Sequence, residues 1–419
     1  MKKLSKIFLL ILALSFAFKN VLMGQSVVSQ EMTVYNENNS PLSNNSIRAL
    51  LTDQTNNLWI ATDLGLCKLN GTNWEVFNSS NSGLTDNYIQ SLAIDQSNAL
   101  WVGTVNGGLF HFDGLNWTNY NSLNSPLTTD FVRSIAVDLN GDVWIGTVEG
   151  LLKFDGINWT VWTIANSGIF SQNISTIAVG ANNEKYCGTI NGGVIYVSPA
   201  EQIQNYTIQN SGIPDNSTVV IQVDGNGQPW FATPAAGLFT DIGSLSWQST
   251  NTQNSPLPTN SLTAFHIDKT QNFLLGSDQF GIIIRSSNNA YRSYSMSNSS
   301  LPENHVISAT SDSLGNIWIG LSSGGLVRLK EQYLSVDKNI FTDFNVYPNP
   351  VLSGQHLFLS KSIDECEIEI ISADGKMVFN EKSKDSKAYI LLPALQTGTY
   401  FLKIISNRSV FIETIVIRS

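Results

Sequence analysis

Charge is scarce in this chain of 419 residues: Asp, Glu, Lys and Arg make up 13%. The balance is acidic, at −10, which excludes nucleic acid and anionic membrane as partners, because either needs a basic face. Cysteine is nearly absent. Three residues, Cys67, Cys187 and Cys366, are no disulfide framework for an exported protein. Cys67 and Cys187 fall within strand-like runs and read as small buried thiols. Histidine is as rare, and His111, His266, His305 and His356 lie far apart with no zinc spacing. No G-x-S-x-G, H-E-x-x-H or phosphate-cradling glycine loop occurs in its required context. No catalytic residue, cofactor or metal is therefore assigned, and no enzyme is expected. Only one long apolar run exists, "IFLLILALSFAF" at 7–18, behind Lys2, Lys3 and Lys6. It is shorter than the ~20 residues a membrane helix needs, so residues 1–24 read as an export signal. The mature protein is expected to be a soluble monomer without a transmembrane segment.

What the chain has instead is a period. "LWIAT" (58–62), "LWVGT" (100–104), "VWIGT" (143–147), "KYCGT" (185–189), "PWFAT" (229–233), "FLLGS" (273–277) and "IWIGL" (317–321) are one element. Their second residues, Trp59, Trp101, Trp144, Tyr186, Trp230, Leu274 and Trp318, serve as anchors spaced 42 to 44 residues apart. That is the length of a four-stranded propeller blade. Six residues before the anchor stands Asp in every copy but Gly180, and three before it stands Asn, Gly or Gln. Such a pair spells a hairpin turn, opened by a carboxylate that bonds the turn's own N–H groups and closed by a left-handed residue. Two residues after the anchor only Ala or Gly occurs, which lets neighbouring sheets approach. The last unit lacks a fourth strand, and "MTVYN" (32–36) matches the fourth strands "WEVFN" and "WTNYN". The N-terminal segment is expected to complete the last blade and close the ring.

The period also disposes of a calcium motif. "DLNGDVWIGTVE" (138–149) has oxygen donors at positions 1, 3, 5 and 12, as an EF-hand loop does. Position 6, however, is Val143 where such loops carry Gly, and the other six copies lack the donor set. Asp138 reads as the turn opener and Trp144 as the blade anchor, leaving Glu149 without a metal role.

The pattern of turn, "WIGT" anchor and following "GGL" resembles the two-component-regulator propeller repeat. The resemblance implies a β-propeller of a kind found in sensory ectodomains and in free secreted propellers. Downstream, "FNVYPNP" (344–350) opens a different unit of alternating strands with turns at Asp374-Gly375 and Thr397-Gly398. "YPNP", "ADGKMVF" and "LQTGTYFLKI" look like the type A sorting domain of the type IX secretion system of Bacteroidetes. Pro348, Asn349, Pro350, Asp374, Gly375, Gly398 and Tyr400 carry that likeness. It implies engagement of the type IX machinery and passage through the periplasm to secretion or display on the outer surface. The expected fold is all-β: a seven-bladed propeller over 25–331, a linker over 332–342, and a small immunoglobulin-like β-sandwich, the sorting domain, over 343–419.

Fourteen residues before the anchors lie Asn45, Asn87, Asp130, Gln172, Asn216, Asn260 and Asn304. They are either local turn caps or a polar ring at the channel mouth. Arg48, Tyr88, Phe131, Arg133, Glu149, Asp278 and His305 break the repeat on the same face, where a site grafted on a propeller would show. These seven are the candidate ligand contacts. The expected function is a binding propeller recognising a glycan or a protein. A lyase similar to streptogramin lyases would need a channel-mouth His, for which only His305 qualifies. A purely adhesive role fits the Asn-, Ser- and Thr-rich surface as well as sugar binding does.

Overall fold

The computed structural model describes residues 27–241, 246–333, 345–363, 365–372, 376–406 and 409–418. The expected export signal, most of the expected linker, and Asp374 and Gly375 lie outside them. The chain divides into two compact units, one of them Ser29–Glu331.

That unit contains seven four-stranded antiparallel sheets. In the second blade the strands run Ile89–Ile94, Leu100–Thr104, Leu109–Phe112 and Trp117–Tyr120, each paired with the next. The innermost strands touch their neighbours around the ring, and Ile47–Thr52 meets Val306–Ser311 to close it. The last sheet is built from Val306–Ser311, Asn316–Leu321 and Leu326–Tyr333, with Val27–Tyr35 on its outer edge.

The conserved letters each have a physical task. Every residue three before the anchor is left-handed, from Gln271 at φ 63° to Gly141 at φ 91°. The opening Asp accepts from the turn N–H groups with one oxygen and from the anchor indole with the other. Trp59, Trp101, Trp144, Trp230 and Trp318 donate Nε1 to Asp53, Asp95, Asp138, Asp224 and Asp312 at 2.9 to 3.4 Å. This explains the six-residue spacing: one carboxylate ties turn and anchor together. In the fourth blade Gly180 replaces Asp, and the Glu184 carboxylate sits where a Cβ on Gly180 would be. It accepts from the Asn182 N–H and the Tyr186 hydroxyl in the Asp's stead. Second strands are buried on both faces, because each blade lies between two others.

Neighbouring turns are stitched by side chains. The left-handed Asn98, Asn183, Gln271 and Asn56 accept the backbone N–H of Gln54, Leu139, Gly225 and Ser313, respectively, each in the preceding blade. Gly occupies the same position in the third, fifth and seventh blades and makes no such stitch.

The C-terminal unit stacks a three-stranded and a five-stranded sheet on one apolar core that includes Leu357, Ile368, Ile370, Ile390, Leu402 and Ile415. Asn349 of the "YPNP" motif grips the terminal strand Ser409–Arg418 twice. Its amide donates to the Thr414 carbonyl at 2.7 Å, and its oxygen accepts from the Val416 N–H at 2.9 Å. Val351 and Leu352 then pair in parallel with that strand. Tyr400 is buried, with its hydroxyl on the Gln396 carbonyl.

Candidate functional site

A cavity of about 580 Å³ is lined by innermost-strand residues of the first, second, fifth, sixth and seventh blades, and so runs along the ring axis. Leu50, Leu92 and Ile307 give it apolar walls, Arg48 lies towards one end, and Gln54 and Lys269 lie at the hairpin-turn end. At the Arg48 end the innermost strand slips register by one residue in six blades. The extra residues are Arg48, Gln90, Arg133, Ser175, Thr263 and Ile307. A bulged residue is released from the ladder, so its side chain can be re-aimed.

Two of these bulges carry arginine. The Arg48 guanidinium straddles Asp63, with Nε on Oδ1 at 2.6 Å and Nη2 on Oδ2 at 3.1 Å. It also donates to the Tyr88 hydroxyl and lies 5.0 Å from that ring's centroid. Hydrogen bonding to Asp63 raises its pKa further. Arg133 packs over Phe131 at 5.3 Å and donates Nη1 to Asn173 Oδ1 at 2.7 Å. Burial lowers its pKa. The structure thus joins four sequence candidates in two Arg–aromatic pairs on the first three blades. Glu149 is exposed in the second-to-third-strand connection of the third blade, and Asp278 occupies that connection in the sixth. His305 precedes the innermost strand of the seventh, and its carbonyl accepts from the Ser322 N–H. Asp63 and Asn173, the partners of the two arginines, were missed by the sequence reading. Asp63 could have been found as an acidic residue four after an anchor.

The seven carboxamide-like residues act locally. Asn45, Asn87, Asp130, Gln172, Asn216, Asn260 and Asn304 each accept the backbone N–H eight residues earlier, at 2.7 to 3.3 Å. A second ladder explains more of the amide content. Asn39, Asn81, Asn124, Asn166, Asn210, Asn254 and Asn298 each accept the N–H three residues back and donate to the carbonyl five residues back. Much of the polar composition is thus engaged in holding the connections.

The calcium-like segment is closed by a cation. Lys185 of the fourth blade, almost fully buried, places Nζ 2.8 Å from Asp138 Oδ2 and 4.6 Å from the Trp144 ring centroid. Burial alone would raise the Asp138 carboxyl, but hydrogen bonds from Lys185 and Trp144 hold it below the usual range. Among the described residues no group of three or more His, Cys, Asp or Glu could hold a metal. The thiols of Cys67, Cys187 and Cys366 are free and buried, and burial pushes Cys187 up to about 12.

On the channel wall, His266 Nε2 lies 3.1 Å from Ser311 Oγ. Burial lowers its pKa to about 4, against a smaller opposing pull from Asp268. The unfolded chain takes up that proton near pH 6.5 and the folded one only near 4. Stability should therefore fall as pH drops through this window and the loss should saturate below it. The expected difference is on the order of 1–3 kcal/mol, reduced by channel water. Urea unfolding at pH 7 and pH 4.5 should show a smaller pH loss for His266→Gln than for wild type; equal losses would exclude His266 as the source.

Comparison with known proteins agrees with this architecture. Residues 41–63 and 83–106 match the two component regulator propeller, and residues 345–418 match the secretion system C-terminal sorting domain. Among solved structures the chain is similar to the extracellular domain of the hybrid two component system BT3049 of B. thetaiotaomicron. The TM-score is 0.62 at 20% identity, over 92% of this chain and 57% of that one. It is also similar to PorZ, a surface component of the type-IX secretion system of Porphyromonas gingivalis, at TM-score 0.60 and 14% identity, over 92% and 61%. A streptogramin B lyase matches at TM-score 0.60 and 14% identity, over 74% of this chain and all of that one. At such identities the likeness shows the fold alone, and the chain spans about three-fifths of the first two structures. No curated protein matches. The chain is a propeller of two-component-regulator repeats carrying a type IX sorting domain. The sorting domain marks it for secretion to the cell surface or beyond. No helix among the described residues is long and apolar enough to cross a membrane.

Proposed function

We propose that the propeller is a binding module without turnover, recognising a glycan, or else a protein, at the Arg48 end of its channel. One observation carries this reading. Elsewhere on this face the recurring polar residues are spent on their own connections, whereas the bulges and loop ends of the first three blades carry two Arg–aromatic pairs, Arg48 with Tyr88 and Arg133 with Phe131. Aromatic rings and guanidinium groups at a channel mouth offer stacking and directional hydrogen bonds, the usual means of ligand recognition. A glycan array probed with the full chain should return a ligand. Tyr88→Ala and Phe131→Ala should each weaken it by ~10-fold, the loss of roughly one well-made contact. Unchanged affinity in both variants would place binding elsewhere.

A further inference from the structure

Blades of one repeat allow a comparison within the molecule. In the first blade the bulge holds Arg48, and four residues after the anchor stands Asp63, whose two oxygens fill the Nε/Nη2 edge of that guanidinium. In the third blade the bulge again holds arginine, Arg133, but four residues after the anchor stands Val148. Asn173 takes Nη1 of Arg133, and the described contacts give its Nε and Nη2 no acceptor. Phe131 covers one face of the group. The third blade thus keeps the cation of the pair and lacks its carboxylate, in a chain with few cations to spare.

We propose that the open edge of Arg133 is a carboxylate-binding subsite, where the ligand supplies the two oxygens that Asp63 supplies to Arg48. A planar guanidinium edge matches a carboxylate bidentately, which gives orientation as well as affinity. Phe131 limits the approach to the guanidinium plane, and Asn173 fixes the rotation of that plane. The ligand class is therefore one with an exposed carboxylate, either a uronic acid sugar or a peptide carboxylate. This rests on the channel mouth being the binding face.

The test uses the full chain labelled with ¹⁵N at arginine, followed by NMR at Arg133 Nε–H. Three probes are added: galacturonic acid oligomers, the corresponding neutral galactose oligomers, and a short peptide ending in a free carboxylate. At least one acidic probe should shift the Arg133 signal, and the more effective one identifies the source of the carboxylate. Neutral oligomers should leave the signal in place. Arg133→Gln should weaken the acidic probe by ~10- to 100-fold, the range for a charge-assisted hydrogen bond. Val148→Asp should abolish the response by filling the edge from within, on the pattern of the first blade, while an unchanged melting temperature shows the fold intact. Failure of both acidic probes to shift Arg133, or equal binding to Val148→Asp, would overturn the subsite. If a neutral oligomer then binds and depends on Tyr88 and Phe131, the mouth remains the binding face without a carboxylate requirement. If no probe binds, the subsite falls, and the binding face is then decided by the glycan array with Tyr88→Ala and Phe131→Ala.

Discussion

Lys185→Met should lower stability by ~3 kcal/mol, the cost of leaving a buried carboxylate without its cation. For a domain of this size that is a fall in melting temperature of roughly 5 °C. The effect arises because Asp138 cannot move to water. Its oxygens are already fixed by the N–H groups of Asn140 and Asp142 and by the Trp144 indole. Removing the ammonium leaves those hydrogen bonds in place but leaves the charge buried without its direct counter-ion. The double variant Asp138→Asn, Lys185→Met should recover most of the loss, since an amide keeps an acceptor for the turn without the charge. Thermal unfolding of wild type, Lys185→Met, Asp138→Asn and the double variant measures this directly. Additive losses would mean that the two residues are not coupled. Millimolar calcium should leave the wild-type melting temperature unchanged. A calcium-dependent rise absent from Asp142→Ala would show a metal site where the structure places an ion pair.

The second large effect is expected at the ring seam. A methyl group on Gly320 would lie 2.1 Å from Ser308 Oγ and 2.7 and 2.8 Å from the Ile47 side chain. Ser308 cannot turn aside without cost, because its hydroxyl donates to the Ile47 carbonyl at 2.8 Å. Gly320→Ala should therefore push the seventh blade from the first and cost ~3 kcal/mol, the upper part of the range for overpacking. Adding Ser308→Ala should recover only part of this, because Ile47 remains. The same position already holds Ala in the first and fifth blades, where Ala49 and Val220 stand opposite. The prediction thus concerns this seam and not alanine in general. Chemical denaturation would refute it if Gly320→Ala matched wild type.

These two effects mark where reading the sequence succeeds and where it stops. The period, the Asp-opened turn and the small residue after the anchor are local and repeated seven times, so each copy checks the others. The small residue could be assigned to close approach before any partner was known, and Ile174 beside Gly146 is such a partner. Lys185 could not be matched to Asp138 in the same way. The pair joins adjacent blades, occurs once, and depends on how two sheets are offset. Arg48 was visible as a break in the repeat, yet its bond to Asp63 needed the slip of register in the innermost strand. The ladder of Asn39 and its six counterparts was visible and passed over, because amide-rich loops look unstructured until their acceptors are located. His266, one of four histidines without a motif, became informative only when burial gave it a direction.

The strand on the outer edge of the last sheet also has a consequence in time. Val27–Tyr35 and its neighbour Leu326–Tyr333 are roughly 290 residues apart, so the pairing is among the least local in the molecule and among the slowest to form. During synthesis or export the earlier strand emerges first and must wait for the later one. Until then the blades can assemble only as an open arc. The final latch is set only when residues 326–333 have emerged, with the C-terminal unit still to follow.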